Sequence, residues 1–482
     1  MIHSSHTLRK RIEWRIVICY FALILFGLVN IYSSSTGDAA SVATAGWSWN
    51  SKYGMQLIWL GIVLVLDVLL LFAVPSRFYN VFVWWIYFLT LALLAATIFV
   101  GTTVNGSKSW LVLGPLRLQP AEFSKIAVAL AIATVMEKFT FSFSNRRDVI
   151  RLALLLLAPM ALILLEKETG LALVYLGFLL VFYRQGMNRW VLPLGVLAIA
   201  VAILSLVTSP FAAMLILAGI ILIWFTVERR SLTILLIGAG AILVLAFLPR
   251  LCQVEALSPV LGKLAPEYWL LVLTAPVALF FIIRSLFRKR EVLLRHALIV
   301  YLAGAALILS TDTVVYKVLQ DHQRLRIESL LDIRDDPMGA GYNVHQSMIA
   351  IGSGGFAGKG FLAGTQTRFD FVPEQSTDFI FCTVGEEWGF VGACGVILCY
   401  ILLILFLIGS AEKQNNRFAR VYGWCVAACI LMHVVINIGM TIGLMPVIGI
   451  PLPLVSYGGS SLMAFSILIF IYLRMCYEQR GR

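Results

Sequence analysis

Residues 13–34 read EWRIVICYFALILFGLVNIYSS, and this stretch decides the fold. Beyond Arg15 it carries no charged side chain and no proline. A helix that crosses a bilayer needs about 20 mostly apolar residues. Lipid offers backbone N–H and C=O groups no partner, so such a run must bond internally as a helix. Arg9, Lys10 and Arg11 precede the run, but no small-residue cleavage site follows promptly. It therefore reads as a first membrane anchor rather than a removable signal.

Working outward, the pattern repeats. Further apolar runs lie at about 53–74, 79–100, 120–137, 152–166, 170–183, 190–208, 211–227, 231–249, 267–284, 296–315, 378–410, 419–446 and 455–474. Of the 482 residues, 60% are hydrophobic and 13% charged, a balance that no soluble fold can hide from water. The expected architecture is all-α: one polytopic transmembrane helix bundle, 1–482, of about 14 spans.

The net charge of +12 would suggest nucleic acid in a soluble protein. Here the basic residues sit in short loops between spans, and the positive-inside rule accounts for them. With a cytoplasmic N-terminus, the inside loops carry Arg77; Lys138, Arg146, Arg147 and Arg151; Arg184 and Arg189; Arg229 and Arg230; Arg284, Arg288, Lys289, Arg290 and Arg295; then Lys413, Arg417 and Arg420. The tail with Arg474, Arg480 and Arg482 returns to the same side. Both termini are expected in the cytoplasm, and no nucleic-acid partner is expected. The eight cysteines include no CxxC pair and read as small buried apolar residues.

Three polar, glycine-rich segments fall on the outer face under this topology: Gly101–Gln119, a long loop over 316–377, and Met445–Ser461. The long loop holds Asp336-Pro337 followed by Gly339 and Gly341. This is either a tight turn with a polar starter or a carboxylate held at the membrane surface as a general base. Gly352-Ser353-Gly354-Gly355, continuing to Gly358-Lys359-Gly360, is either close backbone packing or a cradle for a lipid pyrophosphate; it does not fit the nucleotide P-loop. Glu122 and Lys125 open one helix three residues apart and so share a face. They are either a snorkelling anchor or a pair lining a polar cavity. Glu166-Lys167-Glu168 reads as a solvated turn, and His433 and Asn437 as a helix-to-helix hydrogen-bonding face. His322 and His345 are too far apart to suggest a metal site.

At these residues the chain resembles the SEDS family, the shape, elongation, division and sporulation proteins that include RodA and FtsW. The matching motifs run in order: Asn105-Gly106-Ser107-Lys108-Ser109-Trp110; Gln119-Pro120 with Glu122 and Lys125; Asp336-Pro337 with Gly339, Gly341, Tyr342, Gln346 and Ser347; Pro373-Glu374; Thr377-Asp378-Phe379-Ile380-Phe381; Glu386-Glu387; and Pro451 to Ser461. Gly364-Thr365-Gln366 is more similar to the elongation branch, RodA, than to FtsW.

The resemblance implies polymerisation of lipid II into peptidoglycan strands during elongation and shape maintenance, in the bacterial inner membrane. It implies Asp336 as the essential carboxylate. It also implies substrate contacts from Lys108, Glu122, Lys125, Arg324, Arg326, Gln346, Ser347, Lys359, Thr377, Asp378 and Ser456. The implied partners are lipid II, the nascent glycan, a class B penicillin-binding protein and other elongation-complex membrane proteins. No cofactor is required by it, and a divalent cation is compatible. The chain departs from the family at Glu168, where aspartate is usual, at Ala121 for serine and at Ile333 for proline. It also carries about four spans beyond the family's ten, expected as an insertion over 190–290.

Two other classes fit a polytopic chain. A flippase for lipid-linked sugars should place polar groups near the midplane, on broken helices in two related halves. No clear internal repeat is present. A non-catalytic scaffold would have no need of Asp336 or of the Glu122–Lys125 pair.

Overall fold

The computed structural model describes residues 11–35, 49, 51–104, 107–113, 116–253, 264–287, 291–318, 324–325, 341–369 and 371–481. Each of the fourteen apolar runs falls mainly on helix, with 442–446 and 455–458 outside it. The chain divides into two compact units, Met1–Arg189 with Asp336–Arg482, and Trp190–Asp335.

The first unit begins with α1 (Trp14–Ser35), α2 (Lys52–Phe72) and α3 (Ser76–Val100). A small antiparallel sheet follows, β1 (Thr102–Val104), β2 (Ser107–Leu113) and β3 (Leu116–Leu118). Its register sets Thr102 against Trp110 and Leu111 against Leu118. The described residues of the polar segment 101–119 thus lie largely in strands rather than in an open loop. Next come α4 (Pro120–Glu137), α5 (Arg146–Leu165), α6 (Thr169–Val174) and α7 (Phe178–Arg184), with Tyr175–Gly177 bridging the last two.

The second unit contains α8 (Val191–Val207), α9 (Pro210–Arg229), α10 (Leu232–Ala246), α11 (Leu248–Gln253), α12 (Pro266–Phe287) and α13 (Val292–Thr313), which ends in a π-helical turn, Val314–Val318. It starts where the insertion over 190–290 was expected and extends past it. Its core is small: Val201, Met214, Leu217, Leu270, Ala305 and Ile308 are buried together.

The first unit resumes with α14 (Tyr342–Ser353), α15 (Thr365–Arg368), α16 (Ile380–Glu412), α17 (Arg417–Thr441) and α18 (Gly459–Gly481). Order was expected in the long loop, and α14 and α15 provide it from residue 342 onward. Helix ends follow their local chemistry. Pro120 and Pro210 occupy first turns, where no N–H is needed. Ser51, Asn145, Ser209 and Asn416 cap α2, α5, α9 and α17 through side-chain oxygens.

Among the described residues, eleven helices are long and apolar enough to cross a membrane, and Thr169–Arg184 and Val191–Val207 are shorter apolar helices. The exception is α4, which carries Glu122, Lys125 and Glu137 in 18 residues. It is nonetheless among the most buried helices, with charged and apolar positions alike enclosed by the bundle. The protein is a multi-pass membrane protein. At one end of the first unit, Arg480 bonds Glu13, and Arg474 bonds Glu478 at 2.9 Å, whose carboxylate also accepts from the Ser76 N–H. Arg184 meets Glu412 in a two-pronged contact of 3.0 and 2.9 Å, and Trp424 donates to the same carboxylate at 2.8 Å. Residues 13 and 480 therefore lie on one face.

Candidate active site

At the opposite end of the first unit, α4 enters the bundle with Glu122 in its first turn and Lys125 one turn deeper. Both are buried, at 1% and 2% exposure. Lys125 Nζ lies 2.5 Å from Glu122 Oε2, 3.1 Å from His433 Nε2 and 3.7 Å from the centre of the Phe465 ring. The pair expected from spacing forms, and His433 makes its interhelical contact to it. An ammonium has only donors to offer, so Nε2 of His433 is the acceptor and the ring proton sits on Nδ1. A buried cation is tolerable because a carboxylate, an imidazole and an aromatic face surround it. Glu122 Oε1 has no hydrogen-bond partner among the described residues.

Above this cluster the polar segments converge. Ser456 Oγ accepts from the Leu452 N–H at 2.8 Å and donates to the Thr377 carbonyl at 2.6 Å. The Tyr457 N–H bonds the Ser376 carbonyl at 2.9 Å. Asn437 Nδ2 donates to the carbonyls of Asp378 and Ile450 at 2.8 and 2.7 Å, and Ser347 Oγ to that of Thr441 at 2.9 Å. Gly170 admits the 448–450 segment, since a Cβ there would lie 2.6 Å from Ile450. Gln346 is half-buried on α14.

The turn Glu166-Lys167-Glu168 differs from the solvated turn expected. Glu166 is buried and accepts from the Thr97 hydroxyl, and its carbonyl accepts from the Lys108 N–H at 3.2 Å. Burial raises its carboxyl to about 7, against the hydrogen bond from Thr97. Glu168 Oε1 accepts from Ser107 and Ser109, both at 2.7 Å, and from Gln119 Nε2 at 3.3 Å. The Glu168 carboxylate and the Glu166 backbone carbonyl pin the sheet to the bundle, while the Glu166 carboxylate ties the turn to α3. The reason is geometric: Lys167 adopts a left-handed φ of 66°, and the two glutamates beside it point inward. Lys108 Nζ reaches the Phe99 carbonyl at 2.8 Å.

The glycine-rich stretch resolves towards close packing. Gly358 (φ 81°) and Gly389 (φ 64°) approach so closely that a Cβ on Gly389 would meet Gly358 N at 2.2 Å. Gly389 also kinks α16. The N–H groups of Lys359 and Gly360 bond the carbonyls of Glu386 and Glu387, each at 3.0 Å, so they do not converge on an anion. Lys359 Nζ bonds Glu386 Oε1 and Thr365 Oγ1, both at 2.7 Å. Glu386 is fully buried and also accepts from the Gln366 and Thr367 N–H groups at 2.9 Å, holding the start of α15.

Arg324 lies in the second unit, its guanidinium 4.6 Å from the Tyr316 ring centre. Asp336 and Arg326 fall outside the described residues. Among those described, no cluster of three His, Cys, Asp or Glu side chains could hold a metal. One polar site was missed from sequence. Asp67, inside the run 53–74, accepts from Tyr20 at 2.7 Å, and Tyr20 also pairs with Ser466 at 2.6 Å. The signal was present: a carboxylate within an apolar run needs a partner.

The FTSW_RODA_SPOVE family, described as cell cycle proteins, matches residues 13–224 and 268–481. The chain belongs to that family. The match leaves out 225–267, a stretch inside the expected insertion that contains α10 and α11. The peptidoglycan glycosyltransferase RodA of Treponema pallidum is 31% identical over 455 residues, covering 93% of this chain and 94% of that one. The peptidoglycan glycosyltransferase MrdB of Escherichia coli K12 is 31% identical over 449 residues, covering 93% and 88%. A solved structure of a peptidoglycan synthase complex that coordinates polymerization and crosslinking superposes with a TM-score of 0.61 at 25% identity, over 98% of this chain and 99% of that one. The fold is also that of the Thermus thermophilus rod shape determining protein RodA (TM-score 0.54, 23% identity, covering 98% of each chain).

Proposed function

We propose that this chain is a peptidoglycan glycosyltransferase of the RodA type that polymerises lipid II during cell elongation, with Asp336 as general base. The observation that carries the activity is 31% identity to RodA of T. pallidum, named a peptidoglycan glycosyltransferase, across nearly the whole length of both chains. An acceptor sugar hydroxyl attacks the anomeric carbon of a lipid-pyrophosphate donor. The C–O bond to the pyrophosphate breaks, and the hydroxyl proton passes to the Asp336 carboxylate. A hydroxyl is a poor nucleophile at neutral pH, so a carboxylate within hydrogen-bond reach lowers the barrier.

The departing pyrophosphate needs positive charge or N–H donors. Lys108, Arg324 and Arg326 supply it, while Lys359, engaged by Glu386, holds the floor of the loop. Buried Glu122 and Lys125 brace the helix beneath the site, and Gln346, Ser347, Thr377, Asp378 and Ser456 shape the rim. The site faces outward from the bacterial inner membrane, with both termini cytoplasmic. The strands pass to a class B penicillin-binding protein within an assembly of other elongation-complex membrane proteins. The test is the purified full chain with labelled lipid II, alone and with its transpeptidase partner. Glycan ladders are expected; none under either condition overturns the activity.

A further inference from the structure

The second unit holds a cavity that the proposed reaction does not use. It measures about 430 Å³ and lies between α9, α10, α12 and α13. Leu222, Gly238, Leu245, Leu273, Val277 and Leu298 are among its walls; its only polar lining is Thr274 and Tyr301, whose hydroxyls are 3.2 Å apart. One wall, α10, lies wholly within the stretch that the family match leaves out. The other walls, on α9, α12 and α13, lie almost wholly within the matched segments.

The space is open on the side where Leu273 and Val277 are exposed, and walls this apolar do not hold water. In a bilayer the filler at hand is hydrocarbon. The space is on the scale of one fatty acyl chain rather than of a long polyprenyl tail.

One end of the cavity is basic. The close approaches of Gly238 to Leu222 and of Gly304 to Leu217, with the Thr274–Tyr301 hydroxyl contact, set the antiparallel register, which gathers Phe225, Ala278 and Leu294 at the same end. Arg229 lies over the Phe225 ring at 5.7 Å, Arg230 follows it, and Arg295 adjoins Leu294. Arg284 is nearby and pairs with Glu291 at 3.5 Å. With Glu228, four described arginines face two glutamates, so the rim keeps a positive surplus. Basic rims beside apolar clefts between membrane helices suit anionic headgroups.

We infer that this cavity binds one acyl chain of an anionic phospholipid, with its phosphate among Arg229, Arg230 and Arg295. The test uses the purified full chain in detergent. It is loaded with phosphatidylglycerol bearing a photoactivatable acyl chain, or with the matching phosphatidylcholine, and cross-links are mapped by mass spectrometry. Phosphatidylglycerol should label Leu245 and Leu298 about fivefold more than phosphatidylcholine does, the factor set by roughly one surface charge. Arg230→Gln with Arg295→Gln should bring the two lipids level in the cavity and leave labelling of exposed Leu236 unchanged. Ala278→Phe, which fills the space, should reduce labelling of Leu298 by both lipids. Equal labelling by the two lipids in the unaltered protein overturns the inference. So does labelling confined to Leu236, or displacement by a polyprenyl phosphate as readily as by phosphatidylglycerol.

Discussion

Helices α10 and α18 are both apolar, yet they live in opposite surroundings. In their most apolar windows, α18 is 78% buried inside the protein, whereas the segment Leu232–Arg250 holding α10 is 6% buried. The exposed side chains of α10 include Leu236, Ile237, Leu243 and Val244. By contrast, α18 places Ser460, Ser461 and Ser466 in the interior, and its neighbour α17 places His433 and Asn437 there. Hydropathy decides whether a helix crosses, because lipid and protein interior are equally apolar. Polar and small residues decide where it packs, because only protein can satisfy them. The first unit should therefore be intolerant of change and the second tolerant.

The largest effect is expected at Asp336. Asp336→Asn keeps shape and hydrogen bonding but removes basicity, so lipid II polymerisation should fall about a hundredfold to ten-thousandfold. Solubility and partner binding check the fold. Near-normal rates from a folded variant would reduce the residue to a turn former.

Next is the buried pair. Lys125→Ala leaves Glu122 and His433 around an absent cation and should cost about 3–5 kcal/mol of stability, read as loss of folded protein and of activity. Exchanging the charges, Glu122→Lys with Lys125→Glu, should recover more than either single change. Failure to recover would mean that Lys125 depends on His433 and Phe465 more than on Glu122.

These two residues also show what sequence can reach. The run-by-run helices, the Glu122–Lys125 contact and the convergence of three polar segments were legible, because each follows from spacing, charge or composition along the chain. The depth of α4 was not: its three charges make it look peripheral, and only the partners contributed by α17 and α18 explain its burial. Lys359 was placed with the pyrophosphate ligands because it lies on the outer face in a glycine-rich stretch. Its partner Glu386 is 27 residues away, and no local pattern joins them. Asp67 lay unremarked in an apolar run because its partners Tyr20 and Ser466 come from distant helices.

Smaller effects should come from the two glutamates of the turn that pins the sheet. Glu168→Gln keeps an acceptor but loses the charge behind three hydrogen bonds, about 1–2 kcal/mol in all. Faster proteolysis within 102–118 is the readout, and unchanged proteolysis would mean that Glu166 alone holds the sheet. Glu166 gives a pH signature. Its carboxyl is raised from 4.5 to about 7 by burial, so between those values the folded state keeps a proton that the unfolded chain has lost. Its contribution to stability therefore declines as pH rises through this window, and the loss is complete above about 7. Glu166→Gln should remove that decline from the melting temperature measured against pH. Parallel pH profiles for the two proteins would show that Glu166 is ionised when folded.

The smallest effect is expected on α10, and it tests the comparison from the other side. Leu236 is 71% exposed in the second unit, and in a bilayer its surroundings are acyl chains. Leu236→Ala replaces one apolar surface in lipid by a smaller one, with no cavity created and no polar group stranded. Stability should change by less than about 0.5 kcal/mol, and polymerisation should stay within twofold. A bulkier Leu236→Trp should be tolerated equally, since lipid yields where packed protein does not. If Leu236→Trp instead impairs polymerisation in cells while the purified protein remains active and stable, the face of α10 is covered by another membrane helix. Its exposure would then mark a docking surface, and hydropathy together with burial would have misplaced the boundary between lipid and partner.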